Sequence, residues 1–215
     1  IKKESFKLLE QKKMVCILGG EHSVPLGFMR ALTNFYPKYS MLHVDAHADL
    51  REAYEGFEFS HASIQYNANK ISSIDKFVLV GIRDYSEQEA DRIQNSKGRI
   101  EAFTDRMIKR KIYSGISWRK ICENIIKPLG DNVYVSFDID ALDPSLCPHT
   151  GTPVPGGLEF EQVFYLIETL IESGRKIIGF DLCEVAPGVR DDWDSIVGAR
   201  ALYRLANLMR KSQRS

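Results

Sequence analysis

Acidic and imidazole side chains recur at short spacings in four segments of this 215-residue chain. The densest segment is Asp45-Ala46-His47-Ala48-Asp49, which offers three metal-binding side chains at alternate positions. If the backbone is extended there, all three point to one side. A carboxylate–imidazole–carboxylate set suits Mn²⁺ or a similar cation. The alternative interpretation is a polar strand end with helix-capping aspartates.

A second segment, Ser136-Phe137-Asp138-Ile139-Asp140, brings two carboxylates together after an apolar run. On an extended strand Asp138 and Asp140 face the same side. Adjacent carboxylates repel, so the pKa of one of them rises unless a cation neutralises the pair. A metal pair resolves this conflict, and a solvated loop is the alternative. Asp143, which precedes Pro144, is interpreted as a turn residue.

Two more segments contribute one candidate each. In Gly19-Gly20-Glu21-His22-Ser23 the glycines permit a tight turn, and His22 considered alone is most simply a structural histidine. Glu184 needs a cationic partner, either a metal or a substrate, if it lies among the other acids. Asp181 does not alternate with Glu184 and is interpreted as structural. His43, one residue before Val44 at the end of its strand, is interpreted as a packing residue.

The four segments together supply more ligands than one tetrahedral zinc ion needs. The candidates are His22, Asp45, His47, Asp49, Asp138 and Asp140. Such a set suits two ions that share bridging carboxylates and lie ~3.5–4 Å apart. Two cations lower the pKa of a shared water and supply a nucleophile at neutral pH. The residues by themselves therefore predict a two-metal hydrolase.

The elements that must position these residues alternate between strands and helices. Apolar runs predict strands at Met14–Leu18, Ser40–Val44, Phe77–Gly81, Arg99–Phe103, Val133–Phe137 and Lys176–Leu182. Helices are predicted at residues 3–12, after Pro25, at Ile116–Ile126 with Ser117 as N-cap, at Glu159–Glu172 and at Ser195–Met209. This alternation predicts an α/β fold with a parallel sheet and helices on both faces. The candidate segments follow four strands, and ligands bind at that edge of open parallel sheets.

The bulk composition is that of an ordinary globular protein, with 44% hydrophobic and 27% charged residues. Lys+Arg and Asp+Glu both number 29, so the formal net charge of zero indicates neither a nucleic-acid nor a membrane partner. The apolar runs are too short to span a bilayer. The four cysteines form no CxxC pair, which argues against a zinc knuckle or a disulfide scaffold. We therefore expect a cytoplasmic protein.

Five separated motifs closely resemble those of the ureohydrolases, the family that includes arginase, agmatinase and guanidinobutyrase. They are GGEHS (19–23), DAHAD (45–49), SFDIDALDP (136–144), GTPVPGG (151–157) and CEVAP (183–187). The resemblance spans Gly19 to Pro187 and implies a three-layer α/β/α sandwich around a mainly parallel sheet. Family members extend further at the N-terminus. We therefore expect residues 1–215 to form a single catalytic domain that lacks its first strand or two.

The resemblance also implies two Mn²⁺ ions per subunit. One ion is expected to be bound by His22, Asp45, Asp49 and Asp138. The other is expected to be bound by Asp45, His47, Asp138 and Asp140, with Asp45 and Asp138 bridging. Homo-oligomers, trimers or hexamers, are common in the family, so we expect one here.

Three residues are expected to act on a small cationic guanidino substrate. Guanidinium is a poor electrophile and needs a strong nucleophile held close to it. The resemblance implies that Asp49 orients the attacking hydroxide, that Glu184 binds the planar guanidinium, and that His61 donates a proton to the departing amine. Urea and an amine are the products. Replacement of His61 or Glu184 is expected to spare metal binding and reduce turnover.

The substrate predicted first is agmatine, cleaved to putrescine and urea. Residues 50–63 lack the Asn- and Ser-containing loop of arginases, and DAHADLREAYEG followed by SHAS most resembles bacterial and archaeal agmatinases. The loop carries Glu52, Glu55 and Glu58, which suit a substrate with a second cation at its far end. The alternative is that these glutamates only solvate the loop.

Other functions remain open at this stage. Arginase, guanidinobutyrase or a formiminoglutamate enzyme would use the same chemistry on another substrate. A non-catalytic metal-binding homologue would keep the fold alone. A two-metal phosphoesterase would need basic residues around phosphate, and only Arg51 adjoins the ligand motifs. By family analogy Thr150 and Thr152 contact the substrate, and His149 lines the mouth of the site.

Overall fold

Six parallel strands form the centre of the computed structural model, which describes residues 1–214. The strands are β1 (Cys16–Leu18), β2 (Tyr39–Val44), β3 (Ile74–Val80), β4 (Ile100–Phe103), β5 (Asn132–Asp138) and β6 (Lys176–Cys183). They lie in the order β1-β6-β5-β2-β3-β4, and each neighbouring pair is parallel. Every strand coincides with a predicted apolar run, so the predicted α/β class is confirmed.

Eight helices connect or flank the strands within the described residues. They are α1 (Lys2–Glu10), α2 (Leu26–Leu32), α3 (Ile64–Ala68), α4 (Glu87–Gln94), α5 (Asp105–Tyr113), α6 (Trp118–Ile126), α7 (Phe160–Glu172) and α8 (Trp193–Ser212). The five predicted helices are present, and the Ser117 side chain caps α6 as predicted. Helices α3, α4 and α5 were not predicted. The first is short, and α4 and α5 are mostly polar, so few apolar residues mark these helices in the sequence.

Two separate apolar cores lie on the two faces of the sheet. Leu42 and Val44 of β2 belong to the core that packs under α5 to α8. Met41, on the opposite face of the same strand, belongs to the core under α1 to α3. Because successive side chains of a strand point to opposite faces, one fully buried strand supplies both cores. This arrangement is the predicted three-layer α/β/α sandwich.

Close approach between strand ends shapes the edge where the candidate residues lie. Gly81 follows β3 with φ of 91°, and a Cβ placed on it would lie 3.0 Å from the Asp45 carbonyl oxygen. A larger residue would therefore be strained in conformation and would push against the loop after β2. In the part of the chain that is described, no helix combines the length and the apolar character needed to cross a membrane.

Candidate metal centre

The four strands that lead into the candidate segments are neighbours in the sheet. They are β1, β6, β5 and β2, in that spatial order, although other elements separate them along the chain. Their carboxyl ends therefore lie side by side at one edge. This contiguity brings residues as distant in sequence as His22 and Glu184 together, and the backbone N–H of His22 donates to Glu184 Oε1 at 2.9 Å.

His22 lies at the centre of the deeper part of this cluster. Its Nδ1 atom is 3.0 Å from Asp45 Oδ2, 3.3 Å from Asp49 Oδ2 and 3.1 Å from Asp138 Oδ2. The side chain of His22 is only 1% exposed. We call His22, Asp49 and Asp138 the inner half of the cluster. The convergence of three carboxylates on one imidazole nitrogen brings together the four residues predicted to hold one ion.

The orientation of the His22 ring follows from contacts behind it. Ser136 Oγ donates to Asp181 Oδ1 at 3.2 Å, so the His22 Nε2–H group donates to Ser136 Oγ at 2.8 Å. Nδ1 then faces the carboxylates, and when the ring is neutral the Nδ1 lone pair is available to a metal ion. Asp181, interpreted as structural from the sequence, thus orients the ring together with Ser136. The sequence did not predict that Ser136 and Asp181 orient the His22 ring.

His47 organises the more open part of the cluster. Its Nδ1 atom is 3.0 Å from Asp140 Oδ2 and 3.4 Å from Asp45 Oδ1. Ligand atoms of these three residues lie within 4.8 Å of one another. The His47 side chain is 21% exposed, and it lines an open pocket. We call His47 and Asp140 the outer half, and Asp45 is shared by both halves through its two oxygens.

The sequence predicted an extended backbone through the candidate segments, and this prediction is wrong at two places. Strand β2 ends at Val44, and Asp49 adopts a left-handed conformation with φ of 53°. Asp138 ends β5, and Asp140 lies in the 3₁₀ turn Ile139–Ala141, so these two carboxylates approach different histidines. Alternate side chains on an extended strand are about 6.6–6.8 Å apart, which is too far to surround one ion. The turns bring them closer.

The electrostatics of the cluster show an unbalanced set of acids. Burial, reinforced by the charge of Asp45, raises the pKa of Asp49 to about 8. Burial and neighbouring carboxylates raise the pKa of Asp138 and Asp140 as well. Burial also opposes the ionised form of Asp45, but the surrounding histidines hold its pKa well below the ordinary value. Burial disfavours protonated His47, yet its hydrogen bonds to Asp140 and Asp45 raise its pKa to about 11.

Two buried atoms in the cluster have no hydrogen-bond partner. They are His22 Nδ1 and Asp45 Oδ2, which lie 3.0 Å apart. Buried polar atoms are rarely left unpaired, and a group of facing acids is stabilised by a cation. Imidazole and carboxylate donors suit Mn²⁺ and similar divalent ions. The donor set and its unpaired atoms therefore fit a metal site.

His61 and Asp49 line the pocket next to the outer half. The pocket is lined by His47, Asp49, Arg51, Tyr54, His61, Ala62, Asp84, Glu89 and Thr152. The His61 ring meets the Tyr54 ring edge-on, with centroids 5.4 Å apart. His61 therefore lies in the same pocket as His47 and Asp49 of the cluster, and its role in proton transfer stays a prediction.

Glu184 approaches the cluster from the end of β6. Burial raises the pKa of its carboxyl group. Its φ of 62° is in the left-handed region, as is that of Asp49. Such a conformation costs roughly 1–3 kcal/mol in a non-glycine residue and persists where the surroundings hold it, commonly at functional sites. The strain at Asp49 and Glu184 therefore marks both residues as candidates for function.

The glutamates of the predicted acidic loop are not the acids that line the pocket. Glu52 pairs with Arg92 at 3.2 Å, and the pocket acids besides Asp49 are Asp84 and Glu89. Glu89 accepts hydrogen bonds from the backbone N–H groups of Leu50 and Ser86. Asp84 keeps a 62% exposed side chain. Asp84 was not predicted as a pocket residue from the sequence. Its position after β3, at the same edge of the sheet, is the feature that could have indicated it.

The remaining sequence interpretations have mixed outcomes. Asp143 is a turn residue as predicted, since its Oδ1 accepts from the Ser145 N–H at 2.9 Å. Thr152 lines the pocket, whereas the Thr150 hydroxyl donates to the Glu184 carbonyl oxygen at 2.9 Å. His149 Nδ1 is 2.9 Å from Asp194 Oδ2, and this hydrogen bond raises the pKa of His149.

The fold and the cluster define an α/β protein with a buried histidine–aspartate cluster, whose donor set fits a metal ion, at the carboxyl edge of a parallel sheet. The model of the Arginase family matches residues 1–207 of this sequence. The chain therefore belongs to the arginase family. The resemblance read from the five motifs is confirmed.

Individual relatives place the chain near the agmatinase-like members. It is 37% identical over 187 residues to the N(1)-aminopropylagmatine ureohydrolase of Thermus thermophilus, covering 87% of this chain and 60% of that protein. It is 36% identical over 181 residues to the agmatinase of Halalkalibacterium halodurans, covering 84% of this chain and 58% of that protein. The chain thus spans about three fifths of the length of these relatives.

Solved structures agree with the arginase-like fold. The agmatine ureohydrolase of Thermoplasma volcanium superimposes with a TM-score of 0.82 at 27% identity, covering 99% of this chain and 68% of that chain. The arginase from Medicago truncatula superimposes with a TM-score of 0.81 at 29% identity, covering 97% of this chain and 64% of that chain. Both agmatine- and arginine-specific names occur among the structural neighbours, so the fold alone does not select the substrate.

Proposed function

We propose that this chain carries the active site of a two-manganese ureohydrolase that cleaves a guanidino compound to urea and an amine. The observation that carries the proposal is the convergence of carboxylates on His22 Nδ1 and His47 Nδ1. The leading reaction is cleavage of agmatine to putrescine and urea. Relatives named agmatinase and N(1)-aminopropylagmatine ureohydrolase support this substrate class.

The inner and outer halves would each hold one ion. The proposed ligands are His22, Asp45, Asp49 and Asp138 for one ion, and Asp45, His47, Asp138 and Asp140 for the other. When bound, a pair of divalent ions activates water as a nucleophile at neutral pH and stabilises developing negative charge. All other parts of the reaction fall to side chains of this chain.

Three side chains bind and orient the reactants. The Asp49 carboxylate, held by its left-handed backbone at the pocket wall, accepts a hydrogen bond from the attacking water. The Glu184 carboxylate pairs with the planar guanidinium and presents its carbon to that water. As the bond from carbon to the alkyl nitrogen breaks, His61 donates a proton to this nitrogen and takes up a proton that the attacking water releases, so that both protons of the water end on the amine. Urea and a protonated amine then leave.

Asp84 is the proposed partner of the distal ammonium group of agmatine. Its side chain is exposed in the pocket that His47 and His61 line. The backbone around it is fixed, because the N–H groups of Arg83 and Asp84 both donate to the Ala46 carbonyl oxygen, at 2.7 and 3.0 Å. A carboxylate at this position favours a substrate whose far end is a cation, such as agmatine, over guanidinobutyrate, whose far end is a carboxylate.

The direct test is urea release by the Mn²⁺-loaded protein with agmatine, N(1)-aminopropylagmatine, arginine and guanidinobutyrate side by side. We expect preferential turnover of agmatine or its aminopropyl derivative. Preferential turnover of arginine or guanidinobutyrate would keep the reaction and overturn the substrate. If Mn²⁺ binds and none of the four compounds releases urea, the proposed function is wrong for this chain.

A matched variant separates metal binding from catalysis in the same assay. His61→Asn removes the proton donor without touching the proposed ligands. We expect Mn²⁺ content to stay at the wild-type level while urea release falls by roughly 10²–10⁴-fold, the usual contribution of general acid catalysis. Unchanged turnover would remove His61 from the mechanism.

A further inference from the structure

A buried polar pair lies directly behind the cluster and outside the proposed ligand set. It consists of His43, at the end of β2, and Gln65, in α3. Both side chains are inaccessible to solvent. The Gln65 side-chain amide and His43 Nδ1 are 2.9 Å apart. A completely buried imidazole with two polar contacts is more than a packing residue, which is how the sequence alone was interpreted.

The hydrogen bonds of His43 have only one consistent direction. His43 Nε2 lies 3.2 Å from the His47 carbonyl oxygen and 3.2 Å from Asp45 Oδ2. The His47 carbonyl oxygen can only accept a hydrogen bond, so Nε2 carries the proton. In the neutral ring Nδ1 is then an acceptor, and the Gln65 amide donates to it. Gln65 therefore determines which nitrogen of His43 faces the metal-binding loop.

The same pair contacts each part of the cluster. The His43 ring stacks on the ring of His22, with centroids 5.3 Å apart and an interplanar angle of 29°. Its Nε2–H group faces the shared carboxylate and the backbone of His47. The backbone N–H of Gln65 donates to the Asp49 carbonyl oxygen at 3.0 Å. One pair thus supports a residue of the inner half, a residue of the outer half, and the left-handed turn at Asp49.

We propose that His43 and Gln65 are positioning residues that hold the loop at residues 45–49 in its metal-binding geometry. Ligand atoms must be placed to within a few tenths of an ångström, and outer partners that orient ligands commonly change metal affinity by about 10–100-fold. The inference rests on the proposed function in one respect, that the cluster binds Mn²⁺. It concerns affinity for the metal and does not depend on the substrate.

The test measures the Mn²⁺ affinity of the full chain by competition with a fluorescent chelator. The temperature is chosen so that circular dichroism shows each variant to be folded. His43→Leu removes both hydrogen bonds at similar volume and is expected to weaken binding by about 10–100-fold. His43→Gln restores a donor near the Nε2 position and is expected to recover most of that loss. Gln65→Met removes the donor to Nδ1 and tests the pair if His43→Leu does not fold.

Met41→Ala is the matched control for general damage to the core. Met41 is fully buried, two residues before His43 on the same face of β2, and carries no hydrogen-bonding group toward the loop. The Met41→Ala substitution should lower the free energy of unfolding and leave the Mn²⁺ affinity within about twofold of the wild-type value, because Met41 shares no partner with the cluster.

Three results overturn the proposal. One is wild-type affinity in both His43→Leu and Gln65→Met. Another is an equal loss of affinity in Met41→Ala, which would mean that β2 stability alone controls binding. Absence of Mn²⁺ binding by the wild-type chain would overturn the proposed function and this inference together, whereas binding without urea release would leave this inference intact.

Discussion

The inner and outer halves of the cluster use the same chemical groups in different surroundings. In each half an imidazole Nδ1 faces carboxylates. His22 of the inner half is 1% exposed and is oriented from behind by Ser136 and Asp181. His47 of the outer half is 21% exposed and lines the pocket beside Asp84. The inner half is therefore part of the core, and the outer half is part of the pocket surface.

This difference teaches how one cluster can combine a buried, structural part with a part that is open to a ligand. Buried polar groups must be fully paired, so the inner half depends on a network that reaches back into β5 and β6. The outer half is partly hydrated and needs fewer partners. Changes to the inner half should therefore alter folding and metal binding together, whereas changes to the outer half should alter metal binding and substrate preference.

The largest expected effect comes from the residue that the two halves share. Asp45→Asn removes charge from both, since Asp45 Oδ2 faces His22 and Oδ1 faces His47. We expect both Mn²⁺ ions to be lost and urea release to fall by about 10³-fold or more, because the metal supplies several kcal/mol of transition-state stabilisation. Elemental analysis and a urea assay measure this, with Asp143→Asn in an exposed turn as the control. Retention of one ion would show that the halves are independent.

The next effect is on stability as a function of pH. Asp49, with its pKa raised from 3.8 to about 8, keeps a proton in the metal-free folded state that the unfolded state has lost. His47, raised from 6.5 to about 11, does the same at higher pH. In both windows the folded state binds more protons, so the free energy of unfolding falls as pH rises. Two groups act in the opposite direction. Asp45, with its lowered pKa, does so only in acid, and His43, whose pKa burial lowers to about 4, does so only below about pH 6.5.

The expected result is a melting temperature of the metal-free protein that falls from pH 6 to pH 9. Mn²⁺ at about 100 times its dissociation constant should restore about 2.7 kcal/mol, or about 5–10 °C for a chain of this size. Binding should release protons, so apparent Mn²⁺ affinity should rise with pH. Asp49→Asn should reduce the slope below pH 8, where His47 continues to contribute above pH 6.5. A flat melting temperature in chelator would contradict the raised pKa values.

A smaller effect distinguishes the halves directly. His22→Ala leaves Ser136 and Asp181 buried with a lost partner, whereas His47→Ala leaves groups that water can reach. We expect His22→Ala to lower the free energy of unfolding of the metal-free chain by about 1–3 kcal/mol more than His47→Ala. Urea unfolding in the presence of a chelator measures the difference. Equal losses would mean that the network behind His22 adds nothing to stability.

The smallest effect concerns the substrate side of the outer half. Asp84→Asn removes a charge from an exposed side chain, where an ion pair contributes only about 0.2–1 kcal/mol. The KM for agmatine should therefore rise about two- to fivefold, while the KM for guanidinobutyrate stays level or falls. Steady-state kinetics with both substrates measure the ratio. A parallel change in both values would remove Asp84 from recognition of the distal amine.

Much of the fold was predictable because burial leaves a direct record in the sequence. A strand covered on both faces is a short continuous apolar run, and the largely buried strands β2, β3, β5 and β6 were found from such runs. The edge strands β1 and β4 are more exposed and were found from shorter apolar segments. Helices α4 and α5 were missed because they are short and largely charged. The residues of the cluster were predictable because His and Asp recur at strand ends. Ser136 and Asp181 were not, since their role depends on His22, which is far away along the chain.

The sequence by itself determined which side chains meet at the edge of the sheet, because its apolar runs specify the strands and its motifs follow their carboxyl ends. Only the tertiary structure decided how those side chains divide into an inner and an outer half. A period-two strand would place Asp45, His47 and Asp49 in one row. The left-handed turn at Asp49 and the 3₁₀ turn after Asp138 break that row, and backbone geometry of this kind depends on packing between distant segments.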